Sequence, residues 1–104
     1  MSNAAIHAKI AANVYPDAKK IEINNVHNSC YVIFGDRNRD MQPWFDLLET
    51  DSNGNPTQQA KASALDVYIW MCKQGGTAQI YIYKYANPCA AIYEAAKEIV
   101  NNDS

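Results

Sequence analysis

Apolar positions in this chain repeat with two periods, and the switches between them mark out the elements. From Ala4 to Tyr15, Ile6, Ile10 and Val14 recur every fourth residue. That spacing predicts one helical face, with Ser2 or Asn3 as N-cap and Pro16 as the stop. The period then becomes two. Lys20-Ile21-Glu22-Ile23-Asn24 alternates strictly, and Ser29 to Phe34 sets Cys30, Val32 and Phe34 against Tyr31 and Ile33. Asn25-Val26-His27-Asn28 between these runs reads as a hairpin turn. After the charged loop Gly35-Asp36-Arg37-Asn38-Arg39-Asp40, a third strand is predicted from Pro43 to Thr50, carrying Trp44, Phe45, Leu47 and Leu48.

Asp51-Ser52-Asn53-Gly54-Asn55-Pro56 is the strongest turn signal. It leads into the main helix, capped by Asn55 with Pro56 in the first turn, or by Thr57 one step later. Ala60, Ala64, Val67 and Met71 form its core stripe, widened by Leu65, Tyr68 and Cys72. Gly75-Gly76 ends it. A fourth strand, Thr77 to Tyr85, alternates Ala78, Ile80 and Ile82 against Gln79, Tyr81, Tyr83 and Tyr85. A last helix runs from Asn87-Pro88 to about Val100, with Cys89, Ile92, Ala96 and Ile99 inward. The order αβββαβα implies an α+β two-layer sandwich, a four-stranded, mostly antiparallel sheet with helices on one face.

Composition narrows the function. With 104 residues, 48% apolar and 19% charged, the chain fits one small folded domain over residues 1–104. A net charge of −2 lacks the excess of Lys and Arg that broad nucleic-acid or anionic-membrane binding requires. No apolar run approaches the roughly 18–20 residues of a membrane span. Three widely spaced cysteines and a start without a basic, apolar leader place the expectation in the cytoplasm.

Two layers leave one sheet face uncovered. If Ile80 and Ile82 face the helices, Gln79, Tyr81, Tyr83 and Tyr85 face outward, joined by Trp44, Tyr31 and Ile33 from neighbouring strands. The alternation is symmetrical, and the opposite orientation would bury the tyrosines instead. Tyrosine suits a contact surface because its flat ring and single hydroxyl cost few frozen torsions. Arg37 and Arg39 could clamp a carboxylate or phosphate there. The expectation is a protein partner or a second copy of the chain, with no membrane. The alternative is a nucleic-acid module that stacks bases on the same rings.

The leading αβββα order is similar to that of double-stranded-RNA-binding domains in topology alone. Those domains carry several lysines at the start of the second helix, where this chain has Thr57-Gln58-Gln59-Ala60-Lys61. In size, mild acidity and richness in Asn (11 positions) and Tyr (7), the chain resembles in type the small accessory or inhibitor proteins of phages and mobile elements, such as anti-CRISPR proteins.

No enzyme constellation stands out, and no cofactor is implied. His27 and Cys30 are three apart, but four ligands are needed and no second close pair exists, so no metal site is expected. Both histidines read as ordinary surface or turn residues. Cys89 in the first turn of its helix could have a depressed thiol pKa, or could open the apolar stripe with Ile92. No catalytic residue is assigned.

Overall fold

In a computed structural model, the structure describes residues 2–27, 29–35, 44–74 and 87–102. The element order is α1 (Asn3–Val14), β1 (Lys20–Asn24), β2 (Ser29–Ile33), β3 (Trp44–Phe45), α2 (Gln58–Lys73) and α3 (Pro88–Asn102). The described fold is therefore α+β, with three helices and a three-stranded antiparallel sheet in the order β1-β2-β3. The predicted fourth strand, Thr77 to Tyr85, lies outside the described residues, as do Gly75-Gly76 and most of the charged loop. Two compact units arise, Met1–Asp46 and Leu47–Ser104.

The first unit holds α1 and the sheet. Ser2 caps α1, its Oγ accepting from the Ala5 N–H at 3.2 Å. The helix ends where Pro16 requires it to, with the Tyr15 N–H donating to the Ala11 carbonyl at 2.8 Å. β1 and β2 pair in the register Ile21↔Val32 and Ile23↔Cys30, and Cys30 in turn faces Phe45 across β3. Directly opposed residues share a face. One sheet face therefore carries Ile21, Ile23, Cys30, Val32 and Phe45, and the other Glu22, Ser29, Tyr31, Ile33 and Trp44. α1 packs against β1 and β2. Ile6, Ile10, Cys30, Val32 and Phe45 are buried, and Tyr15 sets its ring edge-on to both Phe34 and Phe45, at 5.7 and 5.8 Å between centroids.

The third strand is shorter than the apolar run suggested. Pairing stops at Phe45, and Asp46 to Glu49 leave the sheet. Leu47 is nevertheless fully buried, so the apolar signal was a burial signal and not a strand signal.

The second unit opens with a loop that Asp51 organises. Its Oδ1 accepts from the Asn53 and Asn55 N–H groups at 2.9 and 3.0 Å, and Gly54 takes a left-handed φ of 83°. Thr50 and Pro56 form an isolated bridge beneath it. Pro56 is thus held outside the helix, and Thr57 is the cap, accepting from the Ala60 N–H at 3.2 Å while its hydroxyl donates to Glu49 Oε1 at 2.6 Å. At α3 the same Asn-Pro pair behaves differently: Asn87 Oδ1 accepts from the Cys89 and Ala90 N–H groups, and Pro88 begins the helix.

α2 buries Ala60, Ser63, Ala64, Val67 and Met71, and packs on α3. Leu65, Tyr68 and Cys72, expected to widen this stripe, are exposed. α3 buries Cys89, Ala91, Ile92, Tyr93, Ala96 and Val100, while Ile99 is only half-buried. Among the described residues no helix is long and apolar enough to cross a membrane.

Candidate functional site

Two of the aromatic residues expected on the partner-binding face are neighbours in the sheet. Tyr31 on β2 and Trp44 on β3 are directly paired neighbours on the sheet face away from α1. Their ring centroids lie 4.7 Å apart, at 71° between planes. His27 in the hairpin turn brings its ring edge to within 5.4 Å of Trp44. The three rings form a continuous, half-open aromatic patch at the hairpin end of the sheet. Val26 beside it is 86% exposed. The turn that presents both residues is closed by Asn24, whose Oδ1 accepts from the Val26 N–H at 3.0 Å.

Glu22 sits opposite Tyr31 on the same face, 3.5 Å from the Lys20 ammonium. That places a carboxylate beside the rings and balances the adjacent cation. Ile33, expected to continue the surface, shares the face but is buried. Ser29 is also buried, and its Oγ has no hydrogen-bond partner among the described residues. Gln79, Tyr81, Tyr83 and Tyr85, and the two arginines Arg37 and Arg39, lie outside the described residues. Of the nine residues expected at the site, Tyr31, Ile33 and Trp44 are described, and Tyr31 and Trp44 touch.

No known protein-family model matches this chain, and no curated protein or solved structure is significantly similar to it. The chemistry of the described side chains therefore carries the functional reading by itself.

A second cluster was not legible in the sequence. His7, expected at the surface, is fully buried on α1. Its Nδ1 lies 2.8 Å from the Asn3 carbonyl, and its Nε2 lies 3.6 Å from Asp46 Oδ1. A carbonyl oxygen can only accept, so Nδ1 carries the hydrogen. Phe45 meets the His7 ring edge-on at 5.9 Å and seals it from water. The available signal was Ala4 and Ala11 at i−3 and i+4, both fully buried, which leave room for a ring on that side of the helix.

Cys30 borders this cluster. Burial first, and the Asp46 charge second, push its thiol up to about 12. A thiolate nucleophile needs the opposite shift. Cys89 is governed by the same physics: burial raises its thiol pKa, outweighing the lowering effect of Lys61. The depressed pKa considered for its place at the helix start is not what the structure provides. Cys72 alone of the three cysteines is exposed. Among the described residues, no group of three His, Cys, Asp or Glu side chains could hold a metal ion.

Proposed function

We propose that this protein is a non-enzymatic protein-binding module that meets its partner through the sheet face carrying Tyr31 and Trp44. The supporting observation is the contiguous patch of Tyr31, Trp44 and His27 on the face away from α1, with Val26 projecting at its edge. Aromatic rings held against one another lose little freedom on binding, and they present large areas to a partner. In this proposal a fourth strand extends the patch with Gln79, Tyr81, Tyr83 and Tyr85, and Arg37 and Arg39 border it. Glu22 next to Tyr31 is balanced by Lys20, so the described patch offers no excess positive charge to hold a phosphate backbone, which favours a protein partner. A small inhibitor or accessory protein of a phage or mobile element, acting in the cytoplasm, is the kind of protein this reading describes.

The test is an affinity pull-down of tagged protein from host lysate, with and without nuclease, repeated with Tyr31→Ala and Trp44→Ala. A partner that survives nuclease and is lost in both variants, with the far-UV circular dichroism unchanged, is expected. A partner that disappears with nuclease, and whose binding falls steeply with salt, would instead establish the nucleic-acid alternative. A protein partner held equally well by both variants would overturn the assignment of this face.

A further inference from the structure

The loop before α2 carries chemistry that neither the sheet face nor the helices use. Asn53 is the only one of the 11 asparagines that a glycine follows. In an Asn-Gly pair, the glycine backbone nitrogen can attack the asparagine Cγ and close a five-membered succinimide. A side chain on the second residue hinders that approach, and glycine has none. Asn55 and Asn87 precede prolines, whose nitrogens carry no hydrogen, so this route is closed to them. Asn53 and Gly54 are both exposed. Among the described residues, nothing stands within 4 Å of the position a Gly54 Cβ would take. Water and hydroxide therefore have access to the reacting atoms.

The same loop restrains the reaction. The Gly54 N–H donates to the Asp51 carbonyl at 3.0 Å, and the Asp51 N–H donates to the Asn55 carbonyl at 2.8 Å. Asp51 Oδ1 accepts from the Asn53 and Asn55 N–H groups on either side of Gly54, at 2.9 and 3.0 Å. The Gly54 nitrogen becomes a nucleophile by giving up its proton. A hydrogen-bonded amide does so when its bond opens, as in hydrogen exchange. The Asp51 carboxylate adds a second restraint, because it opposes negative charge developing on a nearby nitrogen.

From these observations we infer that Asn53 is a site of spontaneous deamidation to isoaspartate and aspartate, at a rate set by opening of the Asp51 loop. The bond between the Gly54 nitrogen and Asn53 Cγ forms, the Cγ–Nδ2 bond breaks, and the Gly54 proton leaves with ammonia. Water then opens the succinimide. Cleavage at Cγ gives aspartate, and cleavage at the Asn53 main-chain carbonyl gives isoaspartate. No electrons are transferred, and water is the one co-reactant. Either product adds a negative charge close to Asp51. Isoaspartate also adds a methylene to the main chain inside the ring that the Asp51–Asn55 bond closes. The inference does not depend on the sheet-face reading.

Incubating the full chain over days at mildly alkaline pH tests this, with peptide mass spectrometry and isoaspartyl methyltransferase labelling as readouts. Asn53 is expected to change before any other asparagine, with isoaspartate and aspartate both formed. Asp51→Ala should speed the reaction about tenfold or more, with far-UV circular dichroism verifying its fold. Wild type unfolded in urea should show a similar acceleration, and this comparison needs no variant. In urea, Gly54→Ala should slow it about tenfold, since only the approach of the nitrogen has changed. Asn53 left intact while another asparagine is modified would overturn the inference. So would aspartate formed without isoaspartate, or a native rate equal to that in urea or in Asp51→Ala.

Discussion

Cys30 ties a buried thiol to the alkaline stability of the first unit. Its thiol is raised from an ordinary value near 9 to about 12, by burial first and by the Asp46 charge second. A pKa raised on folding means that the fold holds the neutral thiol more firmly than the unfolded chain does. The associated stability is complete below pH 9 and is lost as pH rises from 9 towards 12. Each pH unit in that window removes about 1 kcal/mol, and the span from pH 9 to 11 removes about 2 kcal/mol. Cys30→Ala deletes the titrating group and leaves a small cavity, whose cost does not vary with pH. Urea denaturation of both proteins in reducing buffer, followed by circular dichroism at pH 8, 9, 10 and 11, isolates the effect. Ionisation of lysines and tyrosines is common to both and cancels in the difference. Wild type should lose about 2 kcal/mol more than Cys30→Ala between pH 9 and 11. Parallel losses would refute the reasoning, because they would show Cys30 titrating alike in the folded and unfolded chains.

Two further substitutions probe the buried pair and the loop. Asp46→Ala should cost about 1–3 kcal/mol, since it removes a buried carboxylate that lies 3.6 Å from the His7 ring, while the near-isosteric Asp46→Asn should cost clearly less; equal losses in thermal denaturation would refute a role for the polar group at this position. Gly54→Ala should cost about 1 kcal/mol in the same measurement because φ is 83° and no contact crowds the position, so strain acts without a clash; an unchanged midpoint would show that the loop relaxes.

Local rules accounted for most of the described elements. The hairpin β1–β2, both ends of α1 and the core stripe of α2 followed from periodicity, proline placement and capping residues, because those forces act within a few residues. The two Asn-Pro pairs show where local rules end. Asn87-Pro88 caps and starts a helix, but Asn55-Pro56 is drawn into the Asp51 loop and a bridge to Thr50, leaving the cap to Thr57. Either cap fits the local sequence, and the Asp51 loop, the Thr50 bridge and the Thr57–Glu49 hydrogen bond together accompany the choice of Thr57.

What the sequence determined by itself was the alternation of Tyr31 against Cys30 and Val32, and with it the division of the sheet into an apolar and an aromatic face. The tertiary structure decided which residues meet. A histidine on an amphipathic helix is surface or core according to what lies across from it, and His7 became core because Phe45 and Asp46 close over it. Leu65, Tyr68 and Ile69 had the composition of core, yet a helix can turn only part of its circumference inward. Ala60, Ser63, Ala64, Val67 and Met71 fill α2's packed face, and Leu65, Tyr68 and Ile69 remain outside.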